Sequence, residues 1–98
     1  MYYRMTSLSI NPSMKDKFLE QSKTLKSKIR KRLGEGILSA FMVETGEGRL
    51  LLIGKYDCEE SAARGKQISE EIFAEMDENF LLAPPHSEEG PVIYSVDY

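Results

Sequence analysis

The chain has 98 residues, of which 41% are hydrophobic and 30% are charged, and its formal net charge is −3. This composition is ordinary for a globular protein and excludes a disordered chain, and the apolar runs are too short to span a bilayer. The single cysteine excludes an internal disulfide, and the N-terminus lacks the basic start and apolar block of a signal peptide. We therefore expect a single domain over residues 1–98, located in the cytoplasm.

The net charge conceals an uneven distribution along the chain. Residues 1–56 carry 11 Lys and Arg against 5 Asp and Glu, whereas residues 57–98 carry 2 against 11. The basic residues concentrate between Lys15 and Arg32, and such a segment can bind nucleic acid or an anionic membrane. The acidic second half opposes polyanion binding, so we interpret the basic segment as the solvated face of a helix beside an acidic helix. We expect neither nucleic acid nor a membrane as a partner.

The first half of the chain begins with a strand followed by a helix. Alternation predicts a mixed strand over 2–10, which ends at Asn11, where a side-chain cap and the following proline favour a helix start. Helical spacing then predicts a helix over 12–33. Its apolar stripe consists of Met14, Phe18, Leu25, Ile29 and Leu33. Gln21 and Ser22 interrupt the stripe, either because the contact is looser there, which we favour, or because they line a cavity.

Residues 37–56 carry the pattern of a β-hairpin. Two apolar runs, ILSAFMVE and RLLLIGKY, flank the glycine-bearing turn TGEG. In the first run, alternation places Ile37, Phe41 and Val43 on one face of the strand and Leu38, Ala40 and Met42 on the other. In the second run it places Leu50 and Leu52 on one face and Leu51 and Ile53 on the other. A strand that is apolar on both faces must be covered on both faces.

The second half of the chain is predicted to hold a helix, a loop and a last strand. The helix begins at Asp57, which has the capping-box spacing to Glu60. Its core residues are Gly65, Ile68, Ile72 and Met76, with Ala62 and Phe73 beside them and Phe80 near its end. Residues 81–91 are rich in Pro and Gly and are predicted as a loop, and residues 92–98 alternate as a half-buried strand.

The element order βαββαβ predicts an α+β, ferredoxin-like fold, with an antiparallel sheet and two helices on one of its faces. Two helices cover only that face, so the doubly apolar hairpin leaves apolar side chains bare on the other. A bare patch of this kind is unusual on a monomer. We therefore predict a homodimer in which two sheets pack face to face.

On these features the chain resembles the dimeric α+β barrel superfamily, and within it the small antibiotic-biosynthesis-monooxygenase-like proteins. The resemblance covers nearly the whole chain and rests on the element order, the strand RLLLIGKYD, the helix opening DCEESAARGKQ and the Pro-rich loop before the last strand. It implies a dimer with a ligand pocket between helices and sheet in each subunit. It does not imply one activity, because the superfamily includes cofactor-free oxygenases, haem-degrading enzymes, isomerases, polyketide cyclases and members with no known reaction.

Several activities of the superfamily do not fit this chain. There is no Trp, so Asn11 and His86 alone cannot reproduce the Asn/Trp/His set of the haem-degrading members that the chain resembles. One His excludes the two-His pair of some cyclases. The sequence has no constellation of metal ligands and no phosphate-binding glycine loop, so we expect no cofactor and no metal. Cys58 lies at a helix start, but neighbouring acids oppose a thiolate and no His is adjacent in sequence to activate it.

His86 is the candidate general base, because its unperturbed pKa lies near neutrality and the resemblance places its loop near the pocket mouth. The alternative is a solvent-exposed loop histidine. The candidate ligand-binding residues are Tyr3, Asn11, Arg49, Tyr56 and Tyr94. A tyrosine joins an apolar ring to one hydroxyl, and Arg49 could pair with an anionic ligand. Core or interface positions for the tyrosines, and an exposed position for Arg49, are the common alternatives.

The sequence therefore predicts a homodimer that binds a small apolar or aromatic molecule. The leading reaction is cofactor-free monooxygenation of an aromatic or polyketide-like metabolite, in which a carbanion-like substrate supplies the electrons for O₂. The alternative is a non-catalytic ligand-binding, regulatory or structural homodimer. A cavity on the order of a few hundred Å³ that contains His86 or a convergent Tyr/Arg pair would favour the enzyme, and a solidly packed interior would favour the alternative.

Overall fold

The computed structural model describes residues 1–75 and 80–98, and for Leu25 and Lys26 it describes the backbone only. The elements in chain order are β1 (Tyr2–Ser9), a 3₁₀ turn (Pro12–Met14), α1 (Lys15–Leu33), a second 3₁₀ turn (Gly34–Gly36), β2 (Ile37–Gly46), β3 (Arg49–Tyr56), α2 (Glu59–Glu75) and β4 (His86–Pro91). All neighbouring strands are antiparallel, in the order β2-β3-β1-β4. The predicted ferredoxin-like α+β fold is confirmed, while the predicted core positions of Met76 and the Leu25 side chain lie outside the described residues.

The predicted helix start after β1 is confirmed by its cap. The side-chain oxygen of Asn11 accepts hydrogen bonds from the backbone N–H of Ser13 at 3.2 Å and from the Ser13 hydroxyl at 2.9 Å. This satisfies a donor that the first turn leaves free. At the other end Gly34 has a φ of +64°, a left-handed conformation that favours glycine and turns the chain towards β2.

The hairpin turn is tied to the end of β1. The backbone N–H of Ile10 donates to the carbonyl of Gly48 at 2.7 Å. Gly48 has a φ of +72°, and a Cβ at this position would lie 2.7 Å from the carbonyl oxygen of Ile10. Only glycine meets both conditions, so this residue sets the geometry of the β2–β3 turn.

A bulge in β2 corrects one sequence prediction. The register slips between Ile37 and Ser39, which makes Leu38 the extra residue. Ile37 therefore faces the helices and packs into the core, while Phe41 and Val43 remain on the other face of the sheet. The prediction that these three residues share a face is wrong, because a bulge inverts the alternation of the residues before it.

The last strand lies earlier than predicted. The sequence predicts a loop over 81–91 and a strand over 92–98, whereas β4 occupies His86–Pro91. It pairs with β1 at the edge of the sheet, where backbone hydrogen bonds hold it and most of its side chains are exposed. An edge strand needs no apolar alternation, so its polar composition disguised it in the sequence.

Residues 92–98, here called the C-terminal tail, continue past the sheet. The backbone N–H of Val92 donates to the Met1 carbonyl at 3.0 Å, just beyond the paired residues of β1 and β4. The tail forms no regular strand in this chain, and its apolar side chains are exposed, with Tyr94 at 79%. The prediction of a half-buried strand over these residues is therefore wrong for the isolated subunit.

The face of the sheet that packs on the helices, called the covered face, is filled in two separate clusters. The Phe18 cluster contains Leu8, Ile10, Phe18, Leu50 and Phe80, and the Tyr56 cluster contains Leu33, Tyr56, Ala62, Ile68 and Ile72. Phe18 and Phe80 meet edge to face, with ring centroids 5.8 Å apart and an interplanar angle of 83°. This arrangement is favourable for aromatic pairs and anchors the segment before β4 to α1.

The basic helix lies beside the acidic one, as the charge distribution predicts. Arg32 of α1 pairs with Glu71 of α2 at 2.6 Å, and Lys15 of α1 pairs with Glu44 of β2 at 2.6 Å. The hydrogen bond to Glu44 raises the pKa of Lys15 above its ordinary value. All four side chains are partly exposed, so water screens these pairs and they orient the helices more than they stabilise them.

The opposite face of the sheet, called the open face, is uncovered in this chain. Its apolar side chains come from β1, β2 and β3 and are Tyr3, Met5, Phe41, Val43, Leu51 and Ile53. Phe41 is 58% exposed. A contiguous apolar surface of this kind is typical of an interaction site. Within the described residues, no helix combines the length and apolar character that crossing a membrane requires.

Candidate functional site

A cavity of about 640 Å³ lies between the sheet and the two helices, and its walls include members of both clusters. Its apolar lining includes Phe18, Ile29, Met42, Leu52, Ile72 and Phe73. Its polar lining includes Arg4, Thr6, Ser22, Ser39, Tyr56 and Ser69. A largely apolar cavity with a few polar groups is the usual form of a small-molecule site.

β1 contributes two polar side chains to this cavity. The strand places every second residue on the covered face, so Arg4 and Thr6 point towards the helices together with Leu8. Leu8 packs in the Phe18 cluster, whereas Arg4 and Thr6 stand where the cavity opens. The same row of the strand therefore builds the core at one end and the polar wall of the cavity in its middle.

Two glycines hold the ring of Tyr56 at the cavity wall. A Cβ at Gly65 of α2 would lie 2.5 Å from the Tyr56 hydroxyl, and a Cβ at Gly54 of β3 would lie 2.9 Å from its ring carbon Cε2. Real Cβ atoms do not approach a ring so closely, so any larger residue would displace Tyr56. The two glycines let α2 approach β3 with the aromatic ring between them.

Arg4 has the most unusual surroundings of the polar groups in the cavity. It is only 7% exposed, and its guanidinium donates to Ser69 Oγ at 3.3 Å and to Ser87 Oγ at 3.4 Å, both long for such bonds. Its Nε is buried without a hydrogen-bond partner. Among the described residues no carboxylate oxygen lies within 4.0 Å of the guanidinium. Arg4 is thus a buried cation whose hydrogen-bond partners, among the described residues, are neutral hydroxyls.

The hydroxyls around Arg4 form a small network that links β1, β4 and α2. Ser87 Oγ lies 2.9 Å from Thr6 Oγ1 as well as within reach of Arg4. On α1, Ser22 lines the cavity and its hydroxyl donates to the Phe18 carbonyl at 2.8 Å, while Gln21 is exposed. The break in the apolar stripe of α1 therefore corresponds at Ser22 to a polar cavity wall, which was the less favoured interpretation from the sequence.

His86 lies in a different place from the predicted one. It is the first residue of β4, opposite Ser7, so its side chain belongs to the open face. The imidazole is 75% exposed, and its Nε2 lies 3.6 Å from Glu88 Oε1. In the described chain it is not part of the cavity lining. The expectation that a loop brings His86 to the pocket mouth is corrected, because the residue is held in an edge strand.

Of the predicted ligand-binding residues, Tyr56 lines the cavity and the other four lie elsewhere in the described structure. Tyr3 and Arg49 belong to the open face, on β1 and β3. The Asn11 side chain is engaged as the helix cap, and Tyr94 is in the exposed C-terminal tail. The ligand-binding roles of these four residues remain predictions.

The start of α2 is a capping site outside the cavity. The helix begins at Glu59, two residues later than predicted, and the Asp57 carboxylate accepts hydrogen bonds from Ser61 and Cys58. These bonds hold the pKa of Asp57 below its ordinary value. Cys58 is an exposed free thiol whose Sγ lies 3.5 Å from Ser61 Oγ. The side chains that stabilise the ionised Asp57 at this helix end are those of Ser61 and Cys58, and Glu60 is not among them.

A second, shallower depression of about 430 Å³ lies at the hairpin turn, beside the start of α1. It is lined by Pro12, Lys15 and the residues 44–48. Lys15 is already paired with Glu44, so the depression lacks an uncompensated charge from that lysine. Within the described residues, no group of three or more His, Cys, Asp or Glu side chains is placed to hold a metal ion.

Several solved structures share the fold of this chain. A dimeric ferredoxin-like protein from an uncultured marine organism aligns over all of both chains, with 16% identity and a TM-score of 0.75. NE2512, a protein of unknown function from Nitrosomonas europaea, aligns over 99% of this chain and 93% of its own, with 13% identity and a TM-score of 0.73. A monooxygenase from the gene ActVA-Orf6 of Streptomyces coelicolor, in complex with nanaomycin D, aligns over 99% and 91%, with 15% identity and a TM-score of 0.71.

The chain therefore has a ferredoxin-like α+β fold, as its sequence predicts, and it shares this fold with a dimeric ferredoxin-like protein and with a monooxygenase. No family model matches the chain, and no curated protein matches it significantly. At these identities the structural likeness establishes the fold, and the neighbours themselves include a monooxygenase and a protein of unknown function.

Arg4 is not among the site residues predicted from the sequence. It stands between Tyr2 and Thr6 in the row of β1 that also contains Leu8. A charged residue inside a row that faces the core is the signal that could have identified it. The opposite row, with Met5 among serines, is equally mixed, so the sequence alone does not tell which row of β1 faces inwards.

Proposed function

We propose that this protein is a homodimer that binds a small apolar or aromatic molecule in the cavity between the sheet and the helices of each subunit. The observation that carries this proposal is the cavity itself, with about 640 Å³ of space, largely apolar walls and both Arg4 and Tyr56 in its lining. Protein interiors are normally packed as densely as organic crystals, so a gap of this size between the sheet and the helices is unusual. A ligand would fill the space that the two clusters leave.

The reaction that fits this site is cofactor-free monooxygenation of an electron-rich aromatic or polyketide-like substrate. The Streptomyces coelicolor neighbour is a monooxygenase in complex with nanaomycin D, which supports this ligand class. An activated CH₂ group of the substrate would lose a proton, the carbanion would reduce O₂, and the resulting peroxide would lose water to leave a carbonyl. One oxygen atom enters the product, the other leaves as water, and the substrate supplies all the electrons. The protein would supply shape, exclusion of water and the positive charge of Arg4.

A non-catalytic ligand-binding homodimer is the second candidate, and one observation favours it. No histidine or carboxylate is among the described residues that line the cavity, so a general base of the usual type is lacking there. His86 is the only histidine of the chain, and it belongs to the open face. If His86→Ala changed neither ligand binding nor turnover, His86 would have no part in the proposed site.

The homodimer is supported by the open face and by the dimeric neighbour of known structure. Phe41, Val43 and Met5 expose apolar area on that face, and Tyr94 does so in the C-terminal tail. Pressing two sheets together would remove this area from water, at about 25 cal/mol for each Å². We propose that the open faces of two subunits pack against each other and that the tails add to the same contact.

A pair of matched substitutions tests the ligand site. Ala40 lines the cavity, whereas Ala63 is exposed on α2. Ala40→Phe should fill the cavity and weaken the binding of nanaomycin D at least about ten-fold, by about 1.4 kcal/mol. Ala63→Phe should bind like the wild-type protein. Quenching of tyrosine fluorescence reports binding, and equal affinity in the two variants would contradict the proposed site.

Oxygen uptake separates the two candidate functions. Dithranol, an anthrone with an activated CH₂ group, serves as the substrate, and the rate is compared with that of dithranol alone. The monooxygenase would be supported if the wild-type protein accelerated oxygen uptake and Ala40→Phe reduced the rate to that of dithranol alone. Binding of dithranol without acceleration would support the non-catalytic dimer.

A further inference from the structure

We infer that the cavity is selective for ligands that carry an anionic oxygen, a carboxylate or an ionised enol or phenol, and that Arg4 is the residue that receives it. This inference rests on the proposed function of the cavity as a ligand site and names the class of ligand. It starts from the guanidinium of Arg4, which lines the cavity while being 7% exposed. A buried charge in a folded protein is normally paired with an opposite charge, since leaving it unpaired is strongly unfavourable.

The hydrogen bonds of Arg4 show what kind of partner is missing. A guanidinium has five N–H donors in a planar fork that matches two acceptor oxygens side by side. Here the two bonds to Ser69 and Ser87 are long, at 3.3 and 3.4 Å, and both acceptors are neutral hydroxyls. The Nε donor is buried and has no partner. An anionic oxygen in the cavity would give the fork the short, charge-assisted bonds that these serines do not.

Glu89 is the carboxylate to consider as an internal partner. It lies opposite Arg4 in the β1–β4 register, but its side chain is exposed and forms no ion pair with Arg4 within 4.0 Å. Reaching Arg4 would cost this carboxylate its hydration at the sheet edge. Arg4 is therefore left without a charge partner in the described structure, and it contacts the cavity that the proposal assigns to the ligand.

The rest of the cavity restricts the body of the ligand. Phe18, Ile72 and Phe73 contribute apolar walls, and Tyr56 contributes an aromatic ring on the covered face. Arg30 also lines the cavity, but its guanidinium already donates to the Ile37 carbonyl at 2.6 Å. The ligand class is thus an apolar body with an anionic oxygen at its edge. An anion that enters already ionised also needs no base in the cavity, which agrees with the absence of histidine and carboxylate from its described lining.

A charged and a neutral probe of the same shape test this inference. The probes are 2-naphthoate and 2-naphthamide, titrated calorimetrically near neutral pH into the wild-type protein and into Arg4→Met, Arg4→Lys and Arg64→Met. Methionine keeps the length of the arginine side chain without its charge, and Arg64 is an exposed arginine of α2 that serves as the matched control. The wild-type protein and Arg64→Met should bind naphthoate at least about ten-fold more tightly than the amide.

In Arg4→Met the preference for naphthoate should disappear, while binding of the amide should stay within about two-fold of the wild-type value. Arg4→Lys keeps a positive charge but lacks the Nε and the fork, so it should retain part of the preference. The wild-type ratio of the two affinities is itself a test that requires no variant to fold.

The outcomes separate the inference from the proposed function. Equal binding of both probes by the wild-type protein, or an unchanged preference in Arg4→Met, would overturn the role of Arg4 and leave the cavity as a ligand site. Binding of neither probe would overturn both. Glu89→Gln adds a last check, because a large gain in naphthoate affinity in this variant would mean that Glu89 already neutralises Arg4 in solution.

Discussion

The two faces of the sheet break the usual rule of burial in opposite directions. On the covered face a charged side chain, Arg4, is 7% exposed, and on the open face an aromatic side chain, Phe41, is 58% exposed. Each residue stands where its chemistry is unfavourable in the isolated subunit. In the proposals above, each anomaly marks a missing partner: an anionic ligand on one face and a second subunit on the other.

One strand illustrates both anomalies. Arg4 and Met5 are neighbours in β1, and the alternation sends the arginine towards the helices and the methionine to the open face. Shifting the register of β1 by one residue would place the charge in water and the methionine in the core, which would satisfy both in isolation. The strand keeps the other arrangement because the same register buries Leu8 in the Phe18 cluster.

The largest effect is expected on the open face. Phe41→Asp would place an unpaired carboxylate in the proposed contact of two sheets, twice in each dimer. Leaving a buried charge uncompensated costs about 3–5 kcal/mol, so the dimer dissociation constant should rise at least about a thousand-fold. Analytical ultracentrifugation over a range of protein concentrations measures this constant.

The control for this change is Ser27→Asp, which adds the same charge to an exposed position of α1. It should leave the dimer intact. Two results would contradict the proposal that the open face is the dimer interface. One is a wild-type protein that sediments as a monomer at every concentration, and the other is a Phe41→Asp variant that dimerises as tightly as the wild type.

The next effect concerns the packing that shapes the cavity. Gly65→Ala adds a Cβ that would lie 2.5 Å from the Tyr56 hydroxyl, so the ring must move or α2 must withdraw. Overpacking of this kind costs about 1–3 kcal/mol, which outweighs the gain of less than about 1 kcal/mol that alanine brings to a helix. Urea denaturation should therefore show a net loss of stability.

A Tyr56→Leu background identifies the cause of that loss. Without the ring, Gly65→Ala should be neutral or slightly stabilising, because only the helix propensity remains. If Gly65→Ala is equally harmful with and without the tyrosine, the contact between Tyr56 and Gly65 does not govern the stability of this wall.

On the covered face, the sequence predicted residues of the two core clusters but not the cavity between them. The helical spacing of Phe18 and Ile72 and the alternation of Leu50 identify core positions, because apolar side chains repeat with the period of their element. The cavity escaped prediction because a polar residue such as Ser22 in an apolar stripe has the same pattern whether it faces a looser contact or an empty space. The space itself depends on how far the helices stand from the sheet, which no local pattern encodes.

The edge of the sheet was the other part that local patterns could not locate. The tail alternates like a half-buried strand, but the polar segment His86–Pro91 pairs with β1 and takes the edge of the sheet. Pairing is decided by the register of the partner strand and not by the composition of the segment itself. The tail pattern is consistent with the open-face contact proposed above, since its apolar residues remain exposed in one subunit.

Arg4→Met is expected to act on stability in the opposite direction to Gly65→Ala. Replacing buried ion pairs by apolar side chains of similar volume removes the cost of desolvating the charges and is often neutral or stabilising, by up to about 4 kcal/mol. We expect the lower end, about 1 kcal/mol, because two serine bonds are lost as well. A gain in the urea midpoint, together with lost anion binding, would mean that the charge is kept for the ligand. A loss of stability would mean that Arg4 serves to hold β1, α2 and β4 together.

The smallest effect is expected at Asp57, which belongs to neither face of the sheet. Its substitution therefore shows how large a change to expect from a residue outside both proposed binding surfaces. Hydrogen bonds from Ser61 and Cys58 lower the pKa of Asp57, so the folded state favours the ionised carboxylate. A lowered pKa in the folded state contributes stability above the pKa of the unfolded chain, about 3.9, and this contribution is lost as the pH falls through the folded value. Asp57→Asn should therefore lower the thermal midpoint slightly near neutral pH, and the difference from the wild type should vanish in strong acid.

Glu60→Gln, which removes a carboxylate from the same helix end without removing this acceptor, should change the midpoint less. A difference for Asp57→Asn that persists unchanged into acid would show that the amide disturbs packing and that the ionised carboxylate is not what stabilises this helix end.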